Sequence, residues 1–386
     1  MTLDIDAHLP RLTSLRKHLH SIAEVSGSER HTAQTIENFL TEEAKPDKVY
    51  NGIGGHGIIA TYEGGADGKH ILLRCELDAL PITDKIDAEY RSKSDGTGHK
   101  CGHDGHMAII CGVAKLLAKE RPSAGKVSLL FQPAEETGEG AQRVLEDERF
   151  QALQADYCFA LHNLPDYEKG NVIVRDQTFA AASVGLEVTF GGETSHAAHP
   201  EEGVSPALAM AQLVQALSAV PQYYSSLNHA TKVTVINAEL GERAFGTSPG
   251  RATVRATLRT FDDELLKRLQ ERCLQISEGI ADTYGLSADH NWVEPFAATK
   301  NDGAAVDKIR KTAQKQEIRV QEKSVPFSWS EDFGHFTRQI PGAMFGLGSG
   351  RQHPALHAEH YDFPDEVIPV GICMFMEIVK EVLAEE

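Results

Sequence analysis

Apolar residues recur at helical spacing over residues 8–23 and 28–44, and the second stretch stops before Pro46. Gly52 to Tyr62 reads as a strand with glycine turns, and Lys69 to Cys75 as a second strand. Met107 to Lys119, rich in Ala, Ile and Leu, predicts a buried helix. Lys126 to Phe131 is short and apolar, the pattern of a buried strand. A helix near 138–149 and a strand from Tyr157 to Leu161 follow. Strands alternating with helices predict an α/β domain: a mixed, mostly parallel sheet flanked by helices on both faces.

The pattern changes near residue 180. Val184 to Phe190 alternates as a strand, and Pro206 to Val220 is an amphipathic helix. Lys232 to Glu239 and Arg251 to Thr260 read as strands, Glu264 to Tyr284 as a helix, and Asp289 to Val293 as a last strand. That β-α-β-β-α-β order predicts an inserted ferredoxin-like α+β domain. Ala304 to Gln316 (helix), Ala343 to Leu347 (strand) and 366–384 (helix) return to the first domain. The expected division is 1–180 for the first part of the larger domain, 181–293 for the insertion and 294–386 for the second part.

Composition narrows the function classes. With 41% hydrophobic and 24% charged residues, the chain has the profile of a soluble globular protein. A net charge of −18 opposes a nucleic-acid partner. No signal peptide and no membrane-spanning run is visible, and six dispersed cysteines suit reduced thiols, so a cytoplasmic location is expected.

Candidate chemistry gathers where the apolar strands stop. Asp78, Glu135, Glu136 and His162 lie there, the place where open α/β sheets bind ligands. The densest run is His99-Lys100-Cys101-Gly102-His103-Asp104-Gly105-His106, read as a loop leading into the helix from Met107. A helix N-terminus favours a thiolate, and thiolate with imidazole suits zinc or a neighbouring first-row metal. Several residues keep blander readings. His18 and His20 read as solvated or core-edge histidines, and His353 and His360 as surface ones. Asp104 and His106 read as capping and packing the helix, and Glu331 and Asp332 either as buried structural acids or as residues orienting a ligand.

Taken in order, Arg74-Cys75-Glu76-Leu77-Asp78-Ala79-Leu80-Pro81, Cys101 to His106, Gln132-Pro133-Ala134-Glu135-Glu136, His162, Ser195-His196-Ala197-Ala198, Ser330 to Phe333 and Leu356-His357 carry a resemblance. Together they resemble the aminoacylase and carboxypeptidase family of dinuclear metallohydrolases. The branch they look most like cleaves N-acyl amino acids, hippurate-type and auxin-conjugate hydrolases among them. The resemblance implies a metal-dependent exopeptidase-like fold whose inserted domain serves as lid and dimerisation domain. It implies metal ligands at Cys101, His103, Glu136, His162 and His357, and Glu135 as general base. The metals implied are two divalent ions, zinc or manganese, with cobalt or nickel as substitutes in vitro. Five protein ligands are too many for one catalytic zinc with an open position, and suit two ions sharing a thiolate. Adjacent acids in extended backbone would diverge, so that Glu136 holds a metal while Glu135 reaches the water. Asp78 looks like the partner that orients a ligand imidazole.

The resemblance further implies that His196 steadies the oxyanion, reaching it from the partner subunit in several dimeric members; otherwise it caps a turn. A homodimer through the inserted domain is therefore expected. Arg259 fits a clamp for the substrate carboxylate. The chain departs from the family pattern at Glu76, where aspartate is common, at Gly246, where an asparagine is usual, and at Ala23, where a proline precedes the glutamate. The expected activity is hydrolysis of the amide bond of an N-acyl amino acid or similar conjugate. A dipeptidase or carboxypeptidase acting on short peptides, and a non-catalytic binding protein on the same scaffold, are the alternatives.

Overall fold

The computed structural model describes residues 4–384. Two compact units divide the chain. One comprises the described residues up to Phe179, Thr299–Pro326 and those from Asp332 onward; the other comprises Ala180–Ala298 and Phe327–Glu331. Up to the second unit, the elements are α1 (Leu9–Ser21), α2 (Arg30–Phe39), β1 (Lys48–Ile53), β2 (Gly57–Glu63), β3 (His70–Glu76), α3 (His103–Lys119), β4 (Lys126–Gln132), α4 (Gly140–Glu146), α5 (Glu148–Gln151), β5 (Tyr157–Pro165), β6 (Val172–Val174) and β7 (Gln177–Ala180). The second unit holds β8 (Ala182–Gly191), β9 (Ser195–His196), α6 (Ala207–Tyr224), β10 (Thr231–Leu240), β11 (Thr247–Ser248), β12 (Arg251–Thr260), α7 (Asp263–Tyr284) and β13 (Ser287–Phe296). The chain ends through β14 (Thr299–Asn301), α8 (Gly303–Lys315), β15 (Val320–Glu322), α9 (Gly334–Thr337), β16 (Gly342–Gly350) and α10 (Ile368–Leu383).

The first unit is built on an eight-stranded sheet in the order β1-β2-β4-β3-β5-β16-β6-β15. Its centre, β4-β3-β5-β16, is parallel, and β1, β2 and the β16–β6 pair add antiparallel edges. The central strands are near-continuous apolar runs because helices cover both faces. Helix α3, polar in its first turn and largely apolar from Met107 onward, is buried along almost its whole length. Gly105 lets the ring of Phe363 lie against its backbone, and Gly112 does the same for Ile372.

Several boundaries differ from the sequence expectation, and three of them shape the sheet and the site. Gly52 to Tyr62 is not one strand: the turn at Gly54 and Gly55, both at positive φ, folds it into the β1–β2 hairpin. Helix α3 begins at His103 rather than Met107, because Gly102, at φ +91, is its N-cap and the polar residues from His103 to His106 are already helical. Strand β5 continues past His162 to Pro165, so that residue sits inside the strand, paired with Gly346.

In the second unit, β10-β12-β8-β13 form an antiparallel sheet, the ferredoxin-like arrangement of a β-α-β-β-α-β chain. Val184, Leu186, Val188 and Phe190 alternate inward from β8 and pack with Leu213 and Leu217 of α6 and Leu269 and Cys273 of α7. The short strands β9 and β11 pair beside this sheet, His196 opposite Thr247. Among the described residues, no helix is long and apolar enough to cross a membrane.

A methyl group on Gly105 would overlap the Phe363 ring. Gly105→Ala should therefore lower unfolding stability by about 1–3 kcal/mol, the usual cost of overpacking. Adding Phe363→Leu should restore part of the loss in urea denaturation. An unchanged midpoint for Gly105→Ala would contradict the close approach.

Candidate metal centre

The site lies in the first unit, at the carboxyl ends of β3 and β4, within β5, and on the first turn of α3. His103 opens that helix, and its Nδ1–H donates to the carbonyl of Asp78 at 2.8 Å. A carbonyl can only accept, so the proton of a neutral ring is on Nδ1 and the Nε2 lone pair is free to bind. That Nε2 is buried without a hydrogen-bond partner, 3.9 Å from Glu135 and 3.8 Å from Glu136. His162 repeats the device: its Nδ1–H donates to the Asn163 carbonyl at 2.9 Å, and its Nε2 lies 3.4 Å from Cys101 Sγ. His357 is reached through the loop after β16; its backbone N–H donates to the Lys100 carbonyl, and its Nε2 stands 4.0 Å from Glu136 Oε2.

These atoms fall into two groups with one member in common. Cys101, His103 and His162 place a sulfur and two nitrogens within 4.8 Å of one another, and so do Cys101, Glu136 and His357 with their sulfur, oxygen and nitrogen. The donor types suit divalent transition metals, and two groups sharing one thiolate fit a dinuclear centre. The electrostatics agree. Burial alone would lower the pKa of His103, but Asp78, Glu76 and Glu136 outweigh it and raise it to about 10. The pocket thus favours positive charge beside His103, the preference a divalent cation satisfies. Burial, with His106 beside it, holds His162 at about 3, a neutral ring.

Residues 72–381 match the model of Peptidase family M20/M25/M40. The chain belongs to this family. It is 32% identical over 351 residues to an N-acetyl-L-cysteine deacetylase of Bacillus subtilis (strain 168), covering 90% of this chain and 82% of that protein. A second protein of that organism, an N-acetylcysteine deacetylase, is 31% identical and covers 97% of each chain. Among solved structures, a dinuclear metal-binding M20 peptidase from Bacillus subtilis superposes with a TM-score of 0.81 at 28% identity, covering 99% of each chain. A putative aminohydrolase from methicillin-resistant Staphylococcus aureus has the same fold, with a TM-score of 0.88 at 24% identity and 98% coverage of each. As a member of the M20 family, the chain is a metallohydrolase.

Several expected roles take a different form in this M20 chain. Glu135 and Glu136 are not in extended backbone. They stand in a turn entered through Ala134 at φ +50, so the turn, not strand alternation, sets their directions. Asp78 contacts His103 chiefly through its backbone carbonyl; its carboxylate Oδ1 lies 3.6 Å from the same nitrogen. Oδ2 instead accepts from Ser26 Oγ at 2.7 Å and from the Glu136 N–H at 3.0 Å. Asp332 is a buried partner of Arg74 (2.6 Å), and also accepts from Gln132 Nε2 and the Ala141 N–H. Its own N–H donates to Glu135 Oε1 at 3.4 Å. Glu331 is buried in the second unit.

His106 does more than pack: its Nδ1–H donates to Glu76 at 2.6 Å, and its ring lies 5.1 Å from that of His162. Arg74 also bonds Glu76, and its guanidinium, with the hydrogen bond from His106, holds the Glu76 carboxyl well below the usual range although burial opposes it. The reading of His20 as solvated or core-edge is overturned. Its ring is fully buried and donates to Asp104 at 2.8 Å and Asp84 at 3.0 Å. Burial opposes the charge, but the two carboxylates raise the pKa to about 9. A signal for it was present, since Arg16 and His20 share the stripe of Leu12 and Leu19 on α1. His353 is half-buried on the Asp362 carbonyl, and His360 is exposed with its Nδ1–H on the Lys85 carbonyl.

The second unit holds the two remaining residues. His196 is exposed, and its Nδ1 accepts the Ala198 N–H at 3.0 Å. The proton of the neutral ring is therefore on Nε2, a free donor. Arg259 is engaged within its own unit, donating to the Ser328 carbonyl at 2.8 Å and Ser330 Oγ at 2.7 Å.

Proposed function

We propose that the chain hydrolyses the amide bond of N-acyl amino acids, releasing a carboxylic acid and a free amino acid. The observation that carries this reading is the pair of donor groups sharing Cys101, with the Glu135 carboxylate beside them. The N-acetylcysteine deacetylases among its relatives support the same substrate class. Cys101, His103 and His162 would hold one divalent ion, and Cys101, Glu136 and His357 a second. Bound there, zinc or manganese ions would lower the pKa of a water and polarise the scissile carbonyl.

Glu135 takes a proton from the attacking water as its oxygen bonds to the carbonyl carbon. The same carboxyl then protonates the amide nitrogen as the C–N bond breaks, so the proton ends on the amine. Asp332, through its N–H on Oε1, leaves Oε2 of Glu135 to face the site. His196, with its proton on Nε2, serves as the donor for the oxyanion. Arg259 pairs with the substrate carboxylate. The chain acts as a homodimer through the second unit. Strand β10 is a sheet edge with Ile236 63% exposed, and Leu208 on the adjoining α6 is 66% exposed, an apolar edge suited to a second copy.

Assaying the metal-loaded enzyme on N-acyl amino acids, their amides and dipeptides tests the substrate class. N-Acyl amino acids should turn over fastest, and Arg259→Ala should erase the preference for free acids over amides. Glu135→Gln should keep both metals and lose about 10²–10⁴-fold in turnover. Preferred cleavage of dipeptides, or near-normal turnover of Glu135→Gln, would overturn the reading.

Mixing tests the role of His196 across the dimer. His196→Ala and Glu135→Ala should each be nearly inactive. Refolded together they should recover roughly a quarter of the sites, since random pairing in a two-fold dimer puts an intact base and an intact histidine at one site of each mixed dimer. No recovery in mixed dimers shown to form would place the histidine in its own subunit's site. Full activity of His196→Ala alone would leave it a turn cap.

A further inference from the structure

The segment before α2 carries a buried acid that none of the expected roles uses. Glu29 is fully buried, yet it is the N-cap residue of α2 and its side chain makes no cap hydrogen bond there. Its Oε1 instead accepts two backbone N–H groups: Gly27, at 2.8 Å, and Ala134, at 2.8 Å and 105 residues further along the chain. Oε2 is buried with no hydrogen-bond partner among the described residues. Burial pushes this carboxyl above the usual range, and the nearby charge of Asp78 adds to it, while the backbone N–H groups act against it. Such an acid is costly to bury. An apolar residue would avoid that cost but would leave the Ala134 N–H without an acceptor.

Ala134 is where an acceptor matters. It sits at φ +50, in the left-handed region, which the Cβ of an alanine disfavours and which its surroundings must therefore hold. Its carbonyl is fixed on the other side by the Gly140 N–H at 3.0 Å. Two residues later, Asp78 Oδ2 accepts the Glu136 N–H. The backbone on either side of Glu135 is thus tied to a buried carboxylate, Glu29 before it and Asp78 after it.

We propose that Glu29 is a positioning residue for Glu135: by accepting the Ala134 N–H it locks the left-handed turn that aims the Glu135 carboxylate into the site. The inference rests on Glu135 being the base. Removing the acceptor should let the turn relax, and a misplacement of about 1 Å can cost on the order of 10²-fold in rate.

The test is steady-state kinetics with metal analysis on Glu29→Ala, Glu29→Asp and Glu29→Gln in the metal-loaded enzyme. Glu29→Ala should lower kcat by about 10–100-fold. KM should stay within about twofold, because binding of the ground state is untouched. Two metals per chain should remain. Glu29→Gln keeps the acceptor oxygen and should recover most of kcat; Glu29→Asp, one methylene too short, should not. In the Glu135→Gln background, Glu29→Ala should have no further effect, since a group that acts through Glu135 has nothing left to position. A kcat within about threefold of the parent in Glu29→Ala, or a loss equal in the Gln and Ala variants, overturns the inference while Glu135 stays the base. If Glu29→Ala does not fold, the Asp and Gln variants decide by the same comparison. Near-normal turnover of Glu135→Gln overturns the underlying reading instead.

Discussion

Backbone carbonyls fix the two buried imidazoles of the site, and the rest of the centre depends on that constraint. The Asp78 carbonyl takes the Nδ1 proton of His103, and the Asn163 carbonyl that of His162. Each ring is turned so that Nε2 points toward its neighbouring donors. The Asp78 carbonyl lies just beyond the end of β3 and the Asn163 carbonyl within β5, both strands of the parallel centre, so the sheet itself sets the spacing of the candidate ligands. Cys101 is delivered by the turn at Gly102, whose positive φ and close approach to the Asn163 side chain exclude a side chain there.

Concentrating so many ionisable groups in an apolar core requires compensation, and the structure supplies it in layers. Glu76 lies between Arg74 and His106, Asp332 between Arg74, Gln132 and the Ala141 N–H, and Asp104 between His20 and Arg16. Lys100, fully buried beside Cys101, is paired with Asp84, which also holds His20. Breaking one partner of such a pair leaves a buried charge exposed to the low dielectric, which is why these residues act as a unit.

The architecture was legible because its signals are periodic. The buried strands, the apolar helix after the Cys101 run and the β-α-β-β-α-β insertion all follow from spacing alone. Residue type alone marked the acids and imidazole gathered where strands stop and the Cys-x-His run before α3; the full candidate ligand set, His357 included, came from the family resemblance. What escaped reading is conformational or non-local. The left-handed Ala134 carries no mark in its residue type, so Glu135 and Glu136 looked like neighbours on an extended strand. His20 looked solvated because its carboxylate partners, Asp84 and Asp104, lie 64 and 84 residues away. Glu29, inside the stretch of helical spacing over 28–44, carries no mark of its own in the sequence, because its acceptor role depends on an amide 105 residues distant.

The central claim is that one thiolate is common to two metal sites. Anomalous X-ray scattering from crystals of the zinc- or manganese-loaded protein tests it most directly. Two anomalous peaks should appear, both within bonding distance of Cys101 Sγ, one shared with His103 and His162 and the other with Glu136 and His357. In Cys101→Ala crystals of the same fold, at least one peak should be lost. A single peak in the parent protein, or two that persist unchanged without the thiol, would contradict the account.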